Sequence, residues 1–138
     1  MGYSFEESVD LCKESIPPRG KVYLDNPHLG LVASMVKWYR ICNDLDPAGV
    51  ALNICGLCHS YLPKCENCGL GSAQSKCTDR GKPFWYISAI FRSSLSKCPN
   101  TVFSDLDPSV QVHYIDMYSS VRCLCTPDQL IKFDEVFK

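Results

Sequence analysis

Phe84-Trp85-Tyr86-Ile87-Ser88-Ala89-Ile90-Phe91 is the stretch on which the fold class turns. It is nearly continuous in large apolar side chains and rich in aromatic and β-branched types, which pack well on a pleated surface. Read on those grounds it is a strand buried on both faces. Ahead of it, Gly69-Leu-Gly-Ser-Ala-Gln-Ser-Lys76 has no apolar periodicity and reads as a loop.

The segment that follows carries two patterns. Val110, Tyr114, Met117 and Val121 recur at helical spacing, whereas Val110, Val112 and Tyr114 alternate with Gln111 and His113 as in a half-buried strand. The β-branched and aromatic content favours the strand. Residues 83–125 are therefore expected to supply a small antiparallel sheet.

Both ends of the chain read as helix. Ser4 with Glu7 forms a capping-box pattern, and Phe5, Val9 and Cys12 place an apolar stripe on residues 5–14. Pro17-Pro18 ends that helix, and Lys21 to Leu24 suits a short strand. Asn26 then caps and Pro27 opens the clearest helix, with Val32, Met35, Val36, Tyr39 and Cys42 on one face and Leu31 and Trp38 widening it. This is the expected central helix. Thr126-Pro127-Asp128-Gln129 repeats the capping logic, and Leu130, Phe133 and Phe137 stripe the last helix.

Asp44-Leu45-Asp46-Pro47 recurs as Asp105-Leu106-Asp107-Pro108. An Asp before a Pro makes a good N-cap with Pro at the first helical position, so the two copies read as helix starts of the same chemistry. The first is expected to open a short helix from Pro47 to Asn53.

Ten cysteines in 138 residues demand an account of their own. Cys55-Gly-Leu-Cys58 and Cys65-Glu-Asn-Cys68 are two Cys-x2-Cys pairs six residues apart. Such a turn puts two thiolates on one side of a tight loop, and two turns complete the four-sulfur shell of a closed zinc site. Gly69 suits the positive φ that such turns need. A disulfide framework is the rival reading. It is disfavoured because Glu6, Glu7 and Asp10 lie where a secretory signal would be apolar, which points to a reducing, intracellular compartment, cytoplasmic or nuclear. Ferredoxin spacings differ from this one, which argues against an iron–sulfur cluster. No stretch approaches the roughly 18 apolar residues of a membrane span.

Cys12 and Cys42 fall on apolar helix faces and read as small buried hydrophobes. Cys77, Cys98, Cys123 and Cys125 lie at loop or element edges and again number four, so a second zinc site is a reading to weigh beside the first. Spacing does not assign partners: Cys55 and Cys58 can pair with Cys123 and Cys125 while Cys65 and Cys68 pair with Cys77 or Cys98. The expectation is Zn²⁺, one or two ions per chain, as in a zinc finger. His59 adjoins Cys58, but neighbours seldom both point at one metal, and His28 and His113 suggest no ligand role.

Little in the sequence speaks for catalysis. Four thiolates close a zinc site that a catalyst would leave open. The zinc-deaminase pattern fails because Lys64 separates Pro63 from Cys65 and no His-x-Glu precedes them. A thioredoxin-like motif should follow a strand and open a helix, whereas Cys55 follows an expected helix and leads into Pro63. Phosphate-binding glycine motifs are absent.

A binding protein remains. Leu57, Tyr61, Leu62 and Leu70 surround the double motif with residues that anchor protein interfaces. The alternative partner is nucleic acid. Residues 55–102 hold six basic and two acidic side chains, flanked by segments of net −2 and −3. Lys64, Lys76, Arg80, Lys82, Arg92 and Lys97 would meet phosphates there, with Tyr61 or Trp85 for stacking. Six cations spread over nearly fifty residues of a chain with net charge −1 fall short of a dedicated nucleic-acid surface, and protein partners are preferred.

The sequence thus predicts an α+β protein with one zinc-binding domain over residues 1–138. Its parts are a helical segment (1–54), a Cys-rich zinc loop (55–82), a strand-rich segment (83–125) and a C-terminal helix (126–138). Its expected role is non-enzymatic, that of a zinc-stabilised regulatory protein, in style a small viral or host factor, with no membrane association. The sequence sets no oligomeric state.

Overall fold

The computed structural model describes residues 3–14, 16, 23, 26–52, 83–93 and 100–137. Among them are five α-helices: α1 (Phe5–Glu14), α2 (Pro27–Cys42), α3 (Pro83–Ser93), α4 (Pro108–Arg122) and α5 (Pro127–Val136). Two 3₁₀ segments, Ala48–Leu52 and Phe103–Asp105, join them. No strand occurs among the described residues. The expected α+β architecture is thereby corrected to a helical one, and the strand-rich segment of residues 83–125 to two helices. Of the proposed short strand at residues 21–24, Tyr23 lies in a 3₁₀ turn and the rest falls outside the described residues.

The reason for the first reversal lies in the stretch from Phe84 to Phe91. A continuous apolar run has no period, so it cannot by itself separate a buried strand from a buried helix. Pro83 occupies the first position of α3, where its fixed φ suits a helix and its missing N–H costs nothing. Tertiary packing then selects the face. Ile87 is fully buried, Phe84 and Ile90 lean on the same core, and Tyr86 is left partly exposed. That is i, i+3, i+6 spacing and not alternation.

In α4 the helical pattern defeats the alternating one. Tyr114, Met117 and Val121 are buried, whereas Val112 is 50% and Ile115 48% exposed. A strand would have put Val112 beside Tyr114. The deciding local feature is the cap: Asp107 Oδ1 accepts from the Ser109 backbone N–H at 2.9 Å and from its hydroxyl at 2.7 Å, ahead of Pro108 at N1. Asp107 satisfies an orphan donor and its carboxyl is held below the usual range by those bonds.

Both expected capping boxes form. The Ser4 hydroxyl accepts from the Glu7 N–H at 3.1 Å while Glu7 accepts from the Ser4 N–H at 3.0 Å. Thr126 and Gln129 make the reciprocal pair at 3.2 and 2.9 Å. Asn26 departs from expectation. Its Oδ1 does not cap α2 but accepts from the Tyr3 N–H at 2.9 Å, tying the start of α1 to the start of α2.

Helix α2 is the axis of the packing, with eleven of its sixteen residues buried. Helices α1 and α4 lie against it, α5 rests on α1, and α3 rests on α4. Trp38 is fully buried, edge-on to Phe84 at 6.5 Å and to Tyr114 at 6.0 Å between ring centroids. Its Nε1–H finds no acceptor among the described residues. On the other flank Tyr39 meets Phe133 and Phe137 edge-on, and those two rings stack at 4.6 Å. Burying a large apolar side chain is worth ~1.5–3 kcal/mol, so this aromatic layer is a main source of cohesion.

The repeated Asp-Leu-Asp-Pro turns come together in space but do different jobs. Asp44, at a positive φ of 61°, accepts the Ser104 N–H on Oδ1 at 2.9 Å, joining the two turns directly. Asp107 caps α4. Asp46, its counterpart, instead pairs with Arg40 at 2.9 Å, and the segment after Pro47 tightens into the 3₁₀ turn instead of an α-helix. Leu106 is buried and Leu45 exposed, so the two copies are not structurally equivalent.

Candidate metal centre and interaction surface

The fold frames the cysteine-rich stretch from both sides. Ala48–Leu52 leads into it and Pro83 begins α3 after it, and this 3₁₀ segment packs against both α2 and α3. Three bonds fix the segment. The Tyr114 hydroxyl donates to Ala48 O at 3.1 Å, the Lys37 ammonium donates to Ala51 O at 3.0 Å, and the Ala48 N–H donates to Thr101 O at 2.8 Å. Lys37 is itself buried and lies 5.0 Å from the Trp38 ring centre.

Cys55, Cys58, Cys65, Cys68, Cys77 and Cys98 lie outside the described residues, as do His59, Lys64, Lys76, Arg80, Lys82 and Lys97. Arg92 stands in the last turn of α3. Among the described residues, no three His, Cys, Asp or Glu side chains come together as a metal site.

Four thiols are described. Cys12 is buried beneath α1, and burial alone pushes it up to about 12. Cys42, at the end of α2, donates to Tyr114 O at 3.9 Å and is pushed to about 11 by the same cause. Of the two, expected as small buried hydrophobes, Cys12 is buried and Cys42 half-buried. Cys123 and Cys125, weighed as ligands of a second zinc site, fall in the segment expected to be strand-rich. Cys123 is instead the C-cap of α4, and the N–H groups of Leu124 and Cys125 donate to Val121 O and Arg122 O at 3.1 and 3.0 Å in a tight helical turn. Cys123 is exposed; Cys125 is half-buried, its Sγ 3.3 Å from Met35 Sδ. Desolvation pushes the Cys125 thiol up to about 11, against a smaller downward pull from Arg122.

His28 sits edge-on to Phe5 at 6.4 Å, and half-buried His113 stacks on Tyr86 at 4.4 Å with the rings within 11° of parallel. The second contact belongs to a surface that the strand reading hid. With residues 108–122 helical, the inner face of α4 is apolar, yet Val112 and Ile115, one turn apart on the outer face, are apolar too. Tyr86, 38% exposed, extends apolar area from α3 across His113. A helix apolar on opposite sides is ordinarily covered on both. Counting Val112 and Ile115 at helical spacing would have found this face in the sequence.

An open cleft of about 510 Å³ lies between the ends of α1, α2 and α5, walled by Ile16, Tyr39, Arg40, Val136 and Phe137. Cys12 reaches it, but a thiol raised by burial is the opposite of an activated nucleophile. Arg40 at its rim is already paired with Asp46. No helix among the described residues is long and apolar enough to cross a membrane. No family model matches the chain. No curated protein and no solved structure shows a significant match to it.

Proposed function

We propose that this chain is a non-enzymatic, zinc-stabilised regulatory protein whose helical body presents an apolar face to protein partners inside the cell. The outward Val112 and Ile115 of α4 carry the reading, because exposed apolar side chains on one helix face are the raw material of protein interfaces, and Tyr86 of α3, stacked on His113, adds exposed apolar area. The double Cys-x2-Cys motif supports the zinc, and its four thiolates suit a closed structural site. Catalysis is not favoured by the described thiols, three of which burial drives toward the neutral form.

Two measurements test the proposal. Elemental analysis of chain purified without added zinc should find about one or two zinc ions per molecule, and a value near zero overturns the zinc reading. A protein partner retained by the chain should be lost with Val112→Asp and Ile115→Asp while thermal unfolding stays near that of the parent. Binding to an RNA or DNA pool that weakens steeply with salt, unaffected by those substitutions, would instead establish the nucleic-acid alternative.

A further inference from the structure

Helices α3 and α4 pack against each other, and both leave apolar side chains outside. On α3, Tyr86 is partly exposed and Ala89, one turn further on, is exposed as well. On α4 the exposed set runs Ser109, Val112, Ile115, Ser119, a spacing of three or four residues that keeps it on one side of the helix. The stack of Tyr86 on His113 joins the two sets, because His113 lies between Val112 and Ile115 in α4. Two helices side by side with apolar residues a turn apart offer a third helix its seat, through anchors at i, i+3 or i+4, and i+7.

The charge around this face has one sign. Phe84 to Phe91 holds no charged residue, and Phe103 to Val121 holds Asp105, Asp107 and Asp116 with no Lys or Arg. All three carboxylates are exposed. Asp116 adjoins Ile115, while Asp105 and Asp107 stand at the N-terminal edge of α4. The nearest cations within the two helices, Arg92 and Arg122, lie in their last turns, and Arg122 is held by Asp134. We propose, resting on the protein-partner reading above, that this face seats an amphipathic helix of another protein whose apolar anchors are flanked by Lys or Arg. Charge decides against the other occupants. A second copy in a two-fold contact presents the same patch to itself and so sets carboxylate against carboxylate around Ile115. Nucleic acid would bring its phosphates to the same three acids.

The test is a displayed library of amphipathic helical peptides, with apolar residues at the anchor positions and Lys, Glu or Ser at the flanking ones, selected on the full chain. Selection against a Val112→Ser, Ile115→Ser double variant removes peptides that bind elsewhere, and serine adds no charge of its own. Far-UV circular dichroism confirms that the double variant keeps its helices. Peptides specific for the parent should carry Lys over Glu at the flanks by at least tenfold. Asp116→Lys should erase or reverse that preference, whereas Glu135→Lys, exposed on α5, should leave it in place. Specific peptides that favour Glu, or neither charge, overturn the basic partner and leave the apolar face standing as a protein interface. If no peptide distinguishes the parent from the double variant, the helical occupant is overturned, and the protein-partner reading is judged by its own substitutions. Self-association of the parent that the double variant abolishes, read by sedimentation, overturns the proposal in favour of a second copy. RNA binding abolished by the double variant overturns it in favour of nucleic acid.

Discussion

Replacing Val112 and Tyr114 separately distinguishes the helical α4 from the strand that residues 110–114 resemble. In a strand the two would share a face and suffer alike. In the helix they point oppositely, Val112 being 50% exposed and Tyr114 fully buried. Val112→Asp forfeits about half of a valine's burial, ~1 kcal/mol, and as the fifth residue of α4 it lies beyond the first turn, the part of a helix whose dipole favours an acid. A net loss of ~0.5–1 kcal/mol is expected. Tyr114→Ala removes a ring that touches Trp38 and Phe103 edge-on and a hydroxyl that donates to Ala48 O. Truncating a buried aromatic costs ~3–5 kcal/mol, and the abandoned carbonyl adds ~1 kcal/mol. Tyr114→Phe isolates the latter part and should cost ~1–2 kcal/mol. Urea denaturation followed by circular dichroism measures all three. A Val112→Asp loss equal to that of Tyr114→Ala would refute the helical assignment and restore the alternating one.

Two further outcomes follow from titratable groups. Arg122 grips Asp134 with both nitrogens at 2.8 Å, and that bond, outweighing a small desolvation effect, holds the Asp134 carboxyl below its ordinary value. A depressed folded pKa gives stability that is present above the unfolded value near 3.8 and lost as pH falls through the folded one. Asp134 is about half exposed, so Asp134→Asn should cost only ~0.5–1 kcal/mol at pH 7 and nothing once acid has protonated the carboxyl, by thermal melts across pH. The buried thiols act at the opposite end. Cys12, Cys42 and Cys125 are raised to about 12, 11 and 11, so their contribution is complete below the unfolded value near 9.0 and is lost as pH climbs through the folded values. Unfolding midpoints should therefore fall above about pH 9, and less so in Cys12→Ala; an unchanged alkaline slope would contradict the burial of Cys12.

Caps and central helix were legible in the residues. Ser4 with Glu7 and Thr126 with Gln129 signal through side chains three apart, and those bonds form locally whatever the rest of the chain does. The 16-residue α2 was legible because its apolar face repeats over four turns. Asn26 was misread for a tertiary reason: Tyr3 offers it a donor that no local pattern reveals. What Cys125 touches was not legible either: its Sγ lies 3.3 Å from the Sδ of Met35, ninety residues away in the chain.

Local chemistry written in the sequence therefore determined where helices start, that the chain builds an apolar core, and which thiols are spaced to chelate. Tertiary packing decided the state of the segments that form α3 and α4, with the Asp107 cap as local support at α4. Their residues satisfy helix and strand patterns alike, and the backbone choice falls to whichever geometry buries the better-fitting set. For α3 that set is Phe84, Ile87 and Ile90 against α4 and the Trp38 ring, and for α4 it is Tyr114, Met117 and Val121 against α2. Once those faces turn inward, Tyr86, Val112 and Ile115 are forced outward, so the surface proposed for partners follows from the helical state that packing selects.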